Sequence, residues 1–326
     1  MNENLTHTLT KMLDTNITHV DYETEQLQGG TVGNVTLIKG MAYSSAGKEL
    51  PFKVVLKITK KWERYNDPDS WRREYDLYAS CLGEFFTDEL NWPTCYHMEI
   101  TDNETRLWLE YIDGISGQDL TGEMYERASY ELGRFQGKLY ADTPPELKTI
   151  TNLSEPEAME KFYRHYKSWD IVYDYVHSDA SEIPKHLCEM IISADENADD
   201  VFRNVNNLPV VLCHRDFWIT NIFYNSGHIA LIDWDTTGWG YLGEDITSLI
   251  ADEADIDNMI ENYHRCVSAY RRGFSEYVDI SHIDNLYIKE RIVLHFGYRL
   301  VEWYLHAKTP KEKQFHVATL QKIYEI

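Results

Sequence analysis

At 326 residues the chain is about twice the roughly 150 residues of a usual domain, so two structural units with a large core are expected and a disulfide-stapled miniprotein is excluded. Its 54 acidic and 31 basic residues give a formal net charge of −23, which disfavours nucleic acid and anionic membrane surfaces as partners and favours cations. Apolar residues at 43% and charged residues at 26% match an ordinary globular protein, so the acidic excess does not signal disorder.

The amino terminus, MNENLTHTLTKMLD, has no basic segment followed by an apolar one, and no apolar run approaches the roughly 20 residues that span a bilayer. A cytoplasmic chain without membrane contact is the expectation. Leu27 to Val35, LQGGTVGNV, is glycine-rich between two strand-like runs. Phe52 to Thr59 alternates and is rich in β-branched residues, as a strand does. Asp67-Pro68 then reads as a helix N-cap with proline at the first helical position, and Trp71, Tyr75, Tyr78 and Leu82 recur at helical spacing. Glu74 lies close to that apolar stripe, where a carboxylate needs a partner, and Lys57 is the natural one.

Tyr96 to Ile100 and Arg106 to Ile112 read as strands joined by a turn at Thr101 to Thr105. Past the interruption at Asp113 to Gly117 the pattern turns helical, over Tyr125 to Tyr140, Ala158 to Val176, Lys185 to Asn204, Asp257 to Phe274 and Asn285 to Ala307. The five cysteines, Cys81, Cys95, Cys188, Cys213 and Cys266, include no Cys-x-x-Cys pair, so neither a zinc site nor a disulfide framework has its spacing.

The chemistry concentrates in Val210 to Asp235, VVLCHRDFWITNIFYNSGHIALIDWD. An apolar strand breaks at His214-Arg215-Asp216, resumes at Ile222 to Tyr224, turns at Asn225-Ser226-Gly227 and returns through Ile229 to Ile232 onto Asp233-Trp234-Asp235. A tight turn at Ser226-Gly227 would set Asn221 opposite Ile232 and Asp233 beside Thr220. Asp216, Asn221 and Asp233 would then offer oxygen ligands to a hard ion such as magnesium, together with a base for a hydroxyl. That combination suits phosphoryl transfer.

His214 to Asn221 fits the kinase catalytic loop pattern His-Arg-Asp-x4-Asn. Protein kinases have Asp-Phe-Gly where Asp233-Trp234-Asp235 stands, a long activation segment ending in Ala-Pro-Glu, and usually lysine at the place of Trp218. Only TTGWGYLGE separates the Asp-Trp-Asp from Asp245. With Gly243-Glu244-Asp245-Ile246 nearby, the chain from about Leu27 to about Ala251 resembles the aminoglycoside phosphotransferase and choline kinase superfamily, whose members commonly have glycine where Arg215 sits.

The resemblance implies an α+β, bilobal protein-kinase-like fold. A small antiparallel-sheet lobe with one key helix would cover residues 1–112, and a larger, mainly helical lobe residues 113–326. It implies Gly29, Gly30 and Asn34 over the phosphates of ATP or GTP, and Lys57, fixed by Glu74, on the α- and β-phosphates. Main-chain groups of Glu110 and Ile112 would bind adenine. Asp216 would be the catalytic base, Asn221 and Asp233 the Mg2+ ligands, and Asp235 and Trp218 contacts to substrate or a second metal ion. Asp245 would brace the catalytic loop, and His214 would support its geometry. The expected acceptor is a small cationic hydroxylated molecule, an aminoglycoside-like antibiotic first, then choline, another amino alcohol or a sugar. The expected protein is a monomer or homodimer. A catalytically silent nucleotide-binding protein is the reading from a different class.

Overall fold

In the computed structural model, residues 2–27, 33–62, 67, 69–166, 168–252 and 255–326 are described. They fall into two compact units, each discontinuous in sequence. The first comprises Met1–Gly114, Pro144–Leu153 and Phe223–Thr236; the second holds the remainder.

Alternation builds the first unit. Strands β1 (Ile17–Gln26), β2 (Gly33–Ser44), β3 (Glu49–Lys60), β5 (Cys95–Ile100) and β6 (Glu104–Glu110) form an antiparallel sheet in the order β1-β2-β3-β6-β5; the short β4 (Leu90–Asn91) lies outside it. Along β3, Phe52, Val54 and Leu56 are buried on one face, so Lys53, Val55 and Lys57 fall on the other. The buried face packs with Ile38, Ala42 and Trp108 against Leu5 and Leu9 of helix α1 (Asn2–Met12). Each of the leucine, isoleucine, valine and phenylalanine side chains contributes about 1.5–3 kcal/mol on full burial.

The helix expected to start at Asp67 begins later. A 3-10 turn at Ser70–Arg72 leads into α2 (Arg73–Tyr78), and the Asp67 carboxylate meets the Arg73 guanidinium instead of capping the helix. Pro68 lies outside the described residues. The buried stripe runs through Trp71, Glu74 and Leu77, with Tyr75 and Tyr78 half-buried beside it. Consequently Glu74 is more deeply enclosed than a stripe centred on the tyrosines implies.

In the second unit, α3 (Gly122–Ala141) packs on a long helix, Met259–Ser275. The single helix expected from Ala158 to Val176 is two, Ala158–Arg164 and Trp169–Val176, and Lys185 to Asn204 is also two, Lys185–Glu196 and Ala198–Val205. Asn197 causes the second break, because its side-chain amide donates to the Ser193 carbonyl at 2.7 Å and so competes with continued helix. Asn285 to Ala307 resolves into Ile288–Ile292, a π-helical turn at Val293–Gly297, and Tyr298–His306. Strands β7 (Val210–Cys213) and β10 (Gly238–Tyr241) pair antiparallel, Cys213 opposite Gly238.

The chemistry-bearing segment departs from the expected hairpin at both ends. Strands β8 (Ile222–Asn225) and β9 (His228–Leu231) flank a turn in which Ser226 and Gly227 both have positive φ, 52° and 90°. Asn221 sits before β8 in a 3-10 turn, Ile219–Asn221, and Asp233 lies beyond β9 with φ 64°, so neither occupies the strand-paired position assigned above. Among the described residues no helix is long and apolar enough to cross a membrane.

Candidate functional site

Within the first unit, Lys57 projects from the β3 face that does not enter the core. Its Nζ lies 2.5 Å from Glu74 Oε2 and 2.6 Å from Asp233 Oδ1. The Lys57 and Glu74 side chains are only 11% and 7% exposed, so this is a desolvated contact. Burial pulls the lysine towards the neutral amine, but the charges of Asp233, Glu74 and Asp235 outweigh it and hold the ammonium well above its ordinary range. Glu74 is pushed upwards, by burial first and by the Asp233 charge as well, against the pull of Lys57. Three carboxylates thus act on one ammonium. That excess of negative charge suits an added cation.

The turn after β9 positions these acids. Asp233 adopts the left-handed conformation, which turns the chain off the strand end, and Trp234–Thr236 continue as a 3-10 turn. Trp234 is buried, donates its Nε1–H to the Leu231 carbonyl at 2.8 Å and meets Phe86 and Trp92 edge to face. Its backbone N–H donates to Glu74 Oε1 at 3.3 Å. Lys57, Glu74 and Asp233 are brought together; Asp235 is near enough for its charge to act on both Lys57 and Glu74.

The glycine-rich loop is only partly described. Gly29 and Gly30 lie outside the described residues, while Gly33 starts β2, and a Cβ placed on it would stand 3.6 Å from the Lys57 Cε. Asn34 is exposed, pairs across the sheet with Ile58, and accepts from the Thr36 hydroxyl at 3.1 Å. Glu110 ends β6: its N–H donates to the Thr94 carbonyl at 2.8 Å and its carboxylate accepts from Thr94 N–H and Oγ1, with Ile112 two residues beyond the strand.

Within the second unit, residues 214–221 follow β7 as a loop held from behind. Asp245, 2% exposed, accepts from the backbone N–H groups of His214 at 3.0 Å and Arg215 at 2.7 Å, and from Gln136 Nε2 at 2.9 Å. Burial pushes its carboxyl up to about 7 against the pull of the two backbone donors. Gln136 also donates to the Leu212 carbonyl and accepts from the Tyr270 hydroxyl. The buried His214 ring accepts the Asp216 N–H on Nδ1 at 3.2 Å, so it shapes the loop from inside. The Asn221 amide donates to both the Asp216 carbonyl, at 2.9 Å, and its Oδ2, at 2.8 Å. Trp218 donates its backbone N–H to the Asp216 carbonyl at 3.1 Å.

Arg215 is the residue whose role the sequence did not reveal. Its φ is 65°, the left-handed region in which glycine is comfortable. The guanidinium bonds the buried Glu244 at 2.8 Å, the Ser154 hydroxyl, and the carbonyls of Glu155 at 3.0 Å and Trp239 at 2.6 Å. Arg215→Ala should cost about 3–5 kcal/mol by stranding Glu244. Arg215→Gly should recover about 1 kcal/mol of that by relieving the left-handed backbone. Urea unfolding midpoints check this, and a glycine variant no more stable than the alanine one would refute the account.

Among the described residues no three histidine, cysteine, aspartate or glutamate side chains converge as a ready-made metal site. That is compatible with magnesium, which is usually held by one or two protein oxygens while phosphates and water supply the rest. The acid run at Asp252 to Asp257 includes a turn former: Asp255 accepts from Asp257 N–H, Asn258 N–H and the Asn258 amide just before the helix at Met259. Trp303 packs under the Arg299 guanidinium at 5.1 Å.

Comparison with known proteins agrees with the loop and Asp-Trp-Asp resemblance. The model of the phosphotransferase enzyme family, APH, matches residues 54–277, and the chain belongs to that family. No curated protein matches the sequence. Among solved structures, a microcompartment-associated aminopropanol kinase superposes with a TM-score of 0.59 at 13% identity, covering 99% of this chain and 95% of that one. Amicoumacin kinase hAmiN, solved with AMP-PNP, Ca2+ and Ami, gives 0.56 at 14%, covering 100% and 96%. Choline kinase from Cryptosporidium parvum gives 0.55 at 13%, covering 93% and 88%. At these identities the likeness is one of fold, a mixed α+β architecture with an antiparallel amino-terminal sheet and a helical carboxy-terminal part.

Proposed function

We propose that this member of the phosphotransferase enzyme family is a small-molecule kinase that transfers the γ-phosphoryl group of ATP or GTP to a hydroxyl of a cationic acceptor. The observation that carries the reading is the buried Lys57 ammonium held between Glu74 and Asp233 at 2.5 and 2.6 Å. A cation fixed there is suited to the α- and β-phosphates, because burial strengthens its field and Glu74 spares it the freedom of a surface lysine. Asp233 and the Asn221 Oδ1, whose amide nitrogen is committed to Asp216, would hold magnesium, which supplies charge neutralisation on the phosphates.

Asp216 would accept or orient the proton of the acceptor hydroxyl. The transition state is loose, so positioning and charge matter more than strong proton abstraction. Asp235 and Trp218 are candidates for acceptor or second-metal contact, Gly29, Gly30 and Asn34 for the phosphates, and the main chain of Glu110 and Ile112 for adenine. The cationic acceptor is favoured by the net charge of −23 and by the relatives named for choline and aminopropanol, both amino alcohols. An aminoglycoside-like antibiotic is tested first, amino alcohols and sugars next. The setting we assign is the cytoplasm, as monomer or homodimer.

The test is ADP release across aminoglycosides, peptide antibiotics, macrolides, choline, aminopropanol and sugars. Turnover of one small molecule supports the reading. Tight Mg-nucleotide binding without turnover on any acceptor sinks it in favour of a silent nucleotide-binding protein.

A further inference from the structure

Arg73 is buried to 2% exposure inside the first unit, and its guanidinium joins three separated segments. Nε donates to the Asn152 carbonyl, Nη1 to the Asp235 carbonyl at 2.8 Å, and Nη2 to the Asp67 carboxylate. A guanidinium taken this far from water is costly unless its donors are matched, and its planar fork spreads five N–H donors over three nitrogens, which suits acceptors on separate segments.

The contact to Asp235 matters because of what precedes it. Asp233 is in the left-handed region, a conformation that persists only where its surroundings over-determine it. Before it, β9 is anchored by pairing with β4, Leu90 opposite Ile229 and Asn91 opposite Ala230. After it, two adjacent residues of α2 hold the first and third peptides: Glu74 accepts the Trp234 N–H and Arg73 donates to the Asp235 carbonyl. Helix α2 therefore reads out on both sides of the Lys57 cluster, through Glu74 on the lysine and through Arg73 on the acid turn.

We propose that Arg73 is a positioning residue that ties α2 to the Trp234–Thr236 turn and thereby sets where the Asp233 and Asp235 carboxylates face a divalent cation. The inference rests on the reading that Asp233 holds that cation. It assigns Arg73 no contact with nucleotide or acceptor.

The experiment titrates Mn2+ by calorimetry into protein saturated with AMP-PNP, for wild type, Arg73→Lys, Arg73→Gln, Asp67→Asn and Asp233→Asn, with unfolding midpoints recorded in parallel. Removing a group that orients a metal ligand typically weakens metal binding about 10–100-fold. That loss is expected in the two Arg73 variants, together with a matching rise in the Mg2+ concentration needed for half-maximal turnover and an unchanged acceptor KM. Asp67→Asn, which removes the ion pair but keeps both carbonyl bonds, should lower the unfolding midpoint and leave Mn2+ affinity near wild type. Two Arg73 side chains are used so that the result does not hang on one being accommodated. If Asp233→Asn is impaired while both Arg73 variants bind Mn2+ as wild type does, the inference falls alone. If Asp67→Asn loses Mn2+ affinity as much as they do, a merely structural role replaces it. Wild-type Mn2+ affinity in Asp233→Asn removes the underlying reading as well.

Discussion

Asp216→Asn should lower kcat by 10²-fold or more while the KM for nucleotide stays near wild type. A positioned general base contributes about 10²–10⁴-fold, or roughly 3–5 kcal/mol of barrier, and the amide cannot take the acceptor proton. The loop should keep its shape in the variant. It is held by Asp245 through the backbone N–H groups of His214 and Arg215, and by the Arg215 guanidinium on Glu244, neither of which uses the Asp216 side chain. The unfolding midpoint is therefore expected to move little, and steady-state kinetics with the best acceptor from the panel supplies the measurement. Turnover close to wild type would strip Asp216 of its role. A fall in nucleotide affinity matching the fall in kcat would instead mean that the substitution disturbed the loop as a whole.

What could be read from the sequence was what is local or periodic. Phe52, Val54 and Leu56 alternate, so β3 and the outward face of Lys57 follow from period two. Glu74 was legible because helical spacing set it beside an apolar stripe, although the stripe itself runs through Trp71, Glu74 and Leu77. The second acid on Lys57, Asp233, was not legible as a lysine partner. It stands 176 residues away and reaches the lysine through a left-handed turn that no propensity rule assigns to that aspartate. Arg73 and Arg215 were missed for the same reason, since their acceptors at Asn152, Asp235, Ser154 and Trp239 are main-chain or hydroxyl groups on distant segments. The hairpin failed at its ends because pairing was extended two residues too far in each direction. Helix α1 carried a usable signal, Leu5 and Leu9 four apart on one face, hidden among polar neighbours. Strand β1, with one fully buried residue in ten, had almost none.

Asp233→Asn separates chemistry from stability most sharply. In the wild type three carboxylates act on a single buried ammonium, and Lys57 has Glu74 at 2.5 Å as a partner besides Asp233. Breaking a buried pair by removing one partner usually costs about 3–5 kcal/mol. Here the variant removes a surplus charge and leaves the lysine paired, while the amide oxygen can still accept from Nζ. The unfolding midpoint should hold or rise. Function should not survive, because a neutral amide offers a divalent cation much less than a carboxylate does. Mg-dependent nucleotide affinity is expected to fall by about 100-fold, close to 2.7 kcal/mol, and turnover by at least as much. Lys57→Met should behave in the opposite way, losing stability along with activity, since it strands Glu74 and Asp233 together. Calorimetry of Mg-nucleotide binding beside unfolding midpoints for both variants tests the pair of expectations. An Asp233→Asn protein that binds Mg-nucleotide as tightly as wild type would show that the carboxylate serves Lys57 and not the metal.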